Sequence, residues 1–362
     1  MPHRKNDVNI KHHSPGFVDL HFHGGFGVDL MRADEDDLNR LAQHLAKAGV
    51  SGFCLSTLSE HPKQLLEAVT RLGRWTSEVH EQRKLPSALP LGIHLEGPFL
   101  SPSFAGAHPG KTIRRATLNE LEALRIASLG MIRMITLAPE EIPPKLLTPL
   151  CRWALKHKIK LFAGHTAATT EQAHHAFEAG FSGVTHAWNA MKFHHRSPGL
   201  MGAALGNEAV YLELIADQIH VSKETLAWSL ALHPKHLSYF VSDAAPCANH
   251  RQSCSFDTLQ VANTKNQGGG FSARISDGPL KGTLAGGGEL LPQSFLRWVQ
   301  ACSPGSAQEN MKFLRNFLPQ VTQNPLRALT LPPRSLKHCL KKRLEWQIFS
   351  KGKLAFFVDS PR

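Results

Sequence analysis

The chain has 362 residues, 42% of them hydrophobic, with 41 Lys and Arg against 29 Asp and Glu, a formal net charge of +12. That length and apolar content suit one large α/β domain with a small appendage and exclude a disordered chain, while six cysteines without a C-x-x-C pair exclude a thiolate zinc site and a disulfide framework. No signal-peptide core opens the chain and no run reaches the roughly eighteen apolar residues that span a membrane, so a cytoplasmic protein without a membrane partner is expected.

In chain order, short runs rich in Val, Ile and Phe alternate with amphipathic stretches, the pattern of repeated βα units. Eight strands are expected, over 16–23, 50–57, 91–99, 131–139, 158–166, 183–189, 210–217 and 237–245, and eight suggest a closed (β/α)8 barrel of the TIM type. Helices are expected from Asp34 to Ala48, Thr169 to Ala179 and Ser222 to Leu232, from their capping residues and the Gly49, Gly180 and Pro234 stops. After the eighth strand come Gly-rich loops at 268–270 and 282–288, then helical segments to about Leu331, and a strand over 354–359. The expected division is an N-terminal segment 1–14, a barrel 15–331 and a tail 332–362. Basic residues are dispersed apart from Lys337 to Arg343, where no aromatics interleave, so the charge favours an anionic small molecule over nucleic acid.

The unusual polar residues collect at the strand ends. In VDLHFH the period of two puts Asp19, His21 and His23 on one face. With 22 histidines in the chain, about 1.3 His-x-His pairs arise by chance, so this pair decides nothing alone. But His94 and Glu96 share a face near the third strand's end, and His165, His186, Asp217 with His220, and Asp243 stand at or beyond the ends of the fifth to eighth strands. Those ends form the active face of a (β/α)8 barrel, and imidazole and carboxylate donors without thiolate suit divalent metals. Taken singly, His165 could cap the following helix and Asp243 could form a turn, whereas a carboxylate at Glu96, ending an apolar strand, needs a partner or a cation.

The segments PGFVDLHFHGGFGVD, HLEGPFLSPSFAGAHP, TLAPE, AGHTAATTEQAHHAFEAGFSGVTHAWNAM, RSPGLMGAAL, IADQIHVS, VSDAAP and GTLAGG run in one order from residue 15 to about 290. Together they resemble the N-acetylglucosamine-6-phosphate deacetylases of the amidohydrolase superfamily. The resemblance implies metal ligands at Glu96, His165 and His186, an acid/base at Asp243, and a sugar-phosphate site lined by Ala107, His108, Asn189, Ala190, Arg196, His220, Leu284, Ala285 and Gly286. Arg196 and Asn189 have the chemistry for phosphate, one as a cationic fork and one as an amide donor. Because both first-strand histidines are present, the resemblance also permits a second ion on His21, His23 and Asp243, with Glu96 bridging. It implies Zn or Fe, one or two per chain, a phosphorylated N-acetyl amino sugar as substrate, and a homodimer. Two departures are a short segment before PGF and a faintly similar tail, so the small β appendage built from the termini is expected to be reduced or rearranged. The nearer rival is a relative acting on N-acetylgalactosamine 6-phosphate or another amide; the distant one is a non-catalytic sugar-phosphate or nucleic-acid binding protein.

Overall fold

The computed structural model describes residues 8–82, 88–256, 258–266, 269–303, 305–341, 343–349 and 354–358. Its core is a parallel sheet of eight strands in sequential order: β1 (Phe17–Asp19), β2 (Val50–Ser56), β3 (Leu89–Glu96), β4 (Ile132–Leu137), β5 (Lys160–Ala163), β6 (Gly183–Val184), β7 (Tyr211–Ile215) and β8 (Ser238–Val241). Seven of the eight expected runs contain one of these strands, and the third, 91–99, overlaps β3, which begins two residues earlier. Val50–Ser56 and Leu89–Glu96 are buried at every residue, as strands covered by helices on one side and filled by side chains on the other must be.

The sheet closes into a barrel just beyond the ends of β1 and β8. There Asp243 N donates to His21 O (3.0 Å) and His23 N to Ala244 O (2.9 Å), around a parallel bridge between Phe22 and Ala244. Beneath the bridge the buried Asp19 carboxylate accepts from Ser242 N (3.1 Å) and Ser242 Oγ (2.5 Å) across the seam. Burial pushes the Asp19 carboxyl up to about 7, against the opposing pull of the Ser242 hydrogen bonds. The closure that completes the barrel therefore also brings the first and last strand ends together.

The outer helices begin and end where local chemistry directs. Helix Glu35–Lys47 is capped by Asp34, which accepts from Asp37 N while the Asp37 side chain returns a bond to the cap backbone. Thr169 and Gln172 do the same for Thr170–Ala179, and Ser222 caps Lys223–Leu232. Gly180, at φ 129°, takes a backbone conformation closed to other residues and ends its helix.

Besides a short ribbon of Gly24–Gly25 and Val28–Asp29, two larger sheets lie outside the barrel among the described residues. The strand Val8–Pro15 pairs antiparallel with Arg343–Phe349, which pairs with Leu354–Val358, giving a three-stranded sheet drawn from both termini. It packs at the start of β1, the end remote from His21: the Phe17 ring lies 5.9 Å from Trp346 and 5.6 Å from Phe356, and Trp346 Nε1 donates to Ser14 Oγ (2.8 Å). Helix Pro333–Lys341 is not part of this sheet but docks on the barrel, with Cys339 Sγ near Ser51 O (3.7 Å).

The second sheet was not expected. Where the sequence suggests Gly-rich loops, strands β9 (Cys254–Phe256), β10 (Leu259–Lys265), β11 (Phe271–Ile275) and β12 (Leu284–Gly287) form an antiparallel meander. Its strands are short and only partly buried, so no strong apolar alternation marks them. Gly268 of the first loop and residue 359 of the expected last strand lie outside the described residues. Among the described residues no helix is long and apolar enough to cross a membrane, and all six cysteines are free.

Candidate metal-binding active site

The site residues converge because each follows the C-terminal end of a barrel strand: His21 and His23 after β1, Glu96 closing β3, His165 after β5, His186 after β6, His220 after β7 and Asp243 after β8. His165, His186 and Asp243 have φ of 47°, 29° and 51°, a region that side-chain-bearing residues seldom occupy. Such conformations persist only where surrounding structure holds them, and they concentrate at functional sites.

Glu96 is the centre of the cluster, buried to 2% exposure. Its Oε1 lies 3.4 Å from His21 Nε2, 3.3 Å from His165 Nε2 and 3.0 Å from His186 Nε2. Its Oε2 lies 3.1 Å from His23 Nε2 and 3.2 Å from His108 Nε2. The imidazoles fall into two pairs, His21 with His23 and His165 with His186, each with its Nε2 atoms 3.0 Å apart. Asp243 Oδ1 joins the first pair, 3.3 Å from His21 Nε2 and 3.4 Å from His23 Nε2.

These spacings test whether the residues fit a metal. Donors bound at about 2.1 Å around one ion sit about 3.0 to 3.4 Å from one another, as in octahedral and tetrahedral shells. The observed separations match, and the sets His21, His23, Glu96 and Glu96, His108, His165 could each hold an ion.

Tautomers then sort the histidines. His21 Nδ1 lies 2.6 Å from the Glu213 carboxylate and His165 Nδ1 lies 2.8 Å from the Phe104 carbonyl, both acceptors, so in its neutral form each ring carries its proton on Nδ1 and turns the Nε2 lone pair to the cluster. His108 is the reverse. Its Nδ1 accepts from the Ser59 backbone N–H (3.1 Å), which can only donate, so the neutral ring carries its proton on Nε2. His108 is thus a hydrogen-bond donor into the site rather than a third ligand. Burial lowers it to about 4, despite Glu96, so it stays neutral. His23 and His186 also present Nε2, and their buried Nδ1 atoms find no partner among the described residues.

The electrostatics favour a cation. Burial raises the Asp243 carboxyl, but His21 and His23 outweigh it and hold the group well below the usual carboxylate range. Glu96 is held down in the same way by His21 and His108. Glu96 and Asp243 raise the affinity of His21 and His23 for protons, and a divalent ion can take the place of those protons between the same donors.

Around the cradle is a cavity of about 380 Å³, lined among others by Ala107, His108, Asn189, Ala190, His220, Phe256, Leu284, Ala285 and Gly286. Gly286 must be glycine: at φ 99°, an added Cβ would stand 2.6 Å from Asp243 O. His220 Nδ1 is 2.6 Å from Asp217 Oδ2; burial lowers its pKa, but Asp217 outweighs burial and raises it.

Two expected phosphate contacts are placed differently. Asn189 lines the cavity, yet its Nδ2 donates to His186 O (3.1 Å) and Ala187 O (3.3 Å), so the amide holds the turn that carries His186. Arg196 is exposed on the following loop, outside the cavity lining, with its guanidinium 3.2 Å from His195 Nε2. His94, expected beside Glu96, lies lower in the barrel between Ser56 Oγ (3.1 Å) and Thr136 Oγ1 (2.8 Å).

Sequence reading missed Ser59, Glu213 and Phe256. Glu213 carried a usable signal, since a carboxylate in the apolar run VYLELIAD poses the question that Glu96 posed. Ser59 and Phe256 carried none, because each acts through a loop or sheet whose packing only the fold determines.

Comparison with known proteins agrees with this geometry. The model of the amidohydrolase family matches residues 13–334. The N-acetylgalactosamine-6-phosphate deacetylase of Escherichia coli O157:H7 is 34% identical over 249 residues, 68% of this chain and 60% of that protein. The N-acetylglucosamine-6-phosphate deacetylase of Bacillus subtilis (strain 168) is 34% identical over 273 residues, 75% of this chain and 66% of that protein. The chain therefore spans somewhat under two thirds of the length of these relatives. Among solved structures, a point mutant of N-acetyl-D-glucosamine-6-phosphate deacetylase from Mycobacterium smegmatis, in complex with N-acetyl-D-glucosamine-6-phosphate, superposes with a TM-score of 0.78 at 27% identity, over 92% of this chain and 82% of that one.

Proposed function

Because the chain belongs to the amidohydrolase family, we propose that it hydrolyses the N-acetyl group of N-acetyl-D-glucosamine 6-phosphate to D-glucosamine 6-phosphate and acetate. The observation that carries this reading is the pairing of a donor-lined cradle around Glu96 with Asp243 at the wall of a cavity of about 380 Å³.

His165, His186 and Glu96 would hold one divalent ion, and His21, His23 and Asp243 a second, with Glu96 between them. Nitrogen and carboxylate donors without thiolate suit Zn²⁺ or Fe²⁺. Such an ion, when bound, supplies Lewis acidity and acidifies water toward neutrality. Asp243, ionised at neutral pH, accepts the proton of the attacking water and delivers it to the departing amine nitrogen. His108, with its proton on Nε2, donates to the amide oxygen as negative charge develops there. His220, kept protonated by Asp217, supplies the cationic contact for the phosphate. Following the family resemblance, we assign the enzyme to the cytoplasm as a homodimer, the latter checked by sedimentation velocity.

The test is acetate release by the purified protein from the two epimeric N-acetylhexosamine 6-phosphates and from N-acetylglucosamine without phosphate. The gluco epimer is expected to be fastest, with activity lost on chelation and restored by Zn²⁺ or Fe²⁺. A faster reaction with the galacto epimer, the substrate class named for the Escherichia coli relative, would reassign the sugar. No acetate from either phosphate would remove the proposal.

A further inference from the structure

Glu213 sits at the centre of β7 with 0% exposure, and the mechanism above gives it no part. A carboxyl group in a barrel interior is costly to bury without partners, so its hydrogen bonds should show what it is for. Oε1 accepts from His21 Nδ1 (2.6 Å) and from the backbone N–H of His186 (3.1 Å), and Oε2 accepts from the Tyr239 hydroxyl (3.1 Å). One carboxylate oxygen thus grips a ring from the first pair of the cradle and the backbone of a residue from the second.

We propose that Glu213 is a positioning residue that keeps His21 in the tautomer with a bare Nε2 and thereby sets how tightly the cradle retains a divalent metal. The inference rests on reading the cradle as a metal site. A neutral imidazole carries one proton, and a carboxylate accepting at Nδ1 fixes that proton there, leaving the Nε2 lone pair for an ion. Without the acceptor, the proton can move to Nε2, where it points at Glu96 and Asp243 and occupies the ion's place. The same loss frees the His186 backbone, whose φ of 29° depends on its surroundings.

The bond to Tyr239 provides the control. Tyr239→Phe removes a hydrogen bond of Glu213 on the side away from the metal-facing rings, whereas Glu213→Gln removes the charge at His21 and keeps the shape. Binding of Co²⁺ to the metal-stripped full chain, followed by its visible absorption without substrate, reads the effect directly. Glu213→Gln is expected to weaken Co²⁺ binding about tenfold and Glu213→Leu by up to about a hundredfold, with a shifted visible band. Tyr239→Phe should bind as wild type does, even if it melts earlier. Wild-type affinity and spectrum in Glu213→Gln would overturn the inference, as would an equal loss in Tyr239→Phe, which marks general loosening of the barrel. If Glu213→Leu fails to fold, the Gln and Phe variants still decide. A wild-type protein that takes up no Co²⁺ overturns the metal reading as well, whereas one that binds Co²⁺ while Glu213→Gln matches it overturns only the role of Glu213.

Discussion

The two halves of the cradle are built by different means. His21 and His23 lie two residues apart just past β1, joined to β8 by the backbone bonds that close the barrel and held from below by Asp19 and Glu213. His165 and His186 lie on separate turns, both at positive φ, with the His165 turn tied down by Glu140, which accepts from the Thr166 hydroxyl and from Ala167 N (2.5 Å). The first pair of histidines is an extension of sheet geometry, whereas the second pair, like Asp243, stands at positive φ. The first should therefore respond to changes in the barrel seam, and the second to changes in the loops above it.

The largest effect is expected at Asp243, where the strand-built half meets the chemistry. Asp243→Asn should lower acetate release by about 10²–10⁴-fold while elemental analysis still finds the ion of the His165 half; near-normal turnover would remove the residue from the reaction. Next, His21→Asn with His23→Asn should lose one metal equivalent of two and leave the ion on the other half. Unchanged stoichiometry in that double variant would mean that only the turn-built half holds an ion. Glu140→Ala leaves the Thr166 and Ala167 donors without their acceptor, so chemical denaturation should report a loss of about 1–3 kcal/mol. Its metal loss should be confined to the His165 half, and equal loss from both would erase the distinction drawn above.

The smallest effect concerns pH. Asp217 raises the pKa of His220 above its ordinary value, so the cationic form persists to higher pH than in a free imidazole and is lost as pH rises through that raised value. In Asp217→Asn, burial is opposed only by the weaker pull of Asp243 and the loss moves to lower pH. KM for the sugar phosphate should rise severalfold at neutral pH and return toward wild type only as the pH is lowered, with kcat little changed. A KM profile parallel to wild type would show that His220 charge does not reach the phosphate.

Much of the architecture was legible because it is local. Helix starts at Asp34, Thr169 and Ser222 depend on hydrogen bonds to residues three positions on, and the common face of His21 and His23 depends on a period of two. Glu96 stood out because a carboxylate in an apolar strand requires a partner. The β9–β12 meander did not stand out, since its pairings come from short, half-exposed strands.

The sequence by itself thus determined eight βα units and the polar residues at their ends. The tertiary structure decided what each polar residue can do. His108 is a donor because Ser59, 49 positions away, turns its backbone N–H and its hydroxyl to Nδ1, and neutral His21 presents its Nε2 lone pair because Glu213, 192 positions away, accepts the Nδ1 proton. The same packing left Arg196 outside the cavity and engaged the Asn189 amide with backbone carbonyls. A tautomer is set by the partner across the barrel, and that partner is known only once the chain has folded.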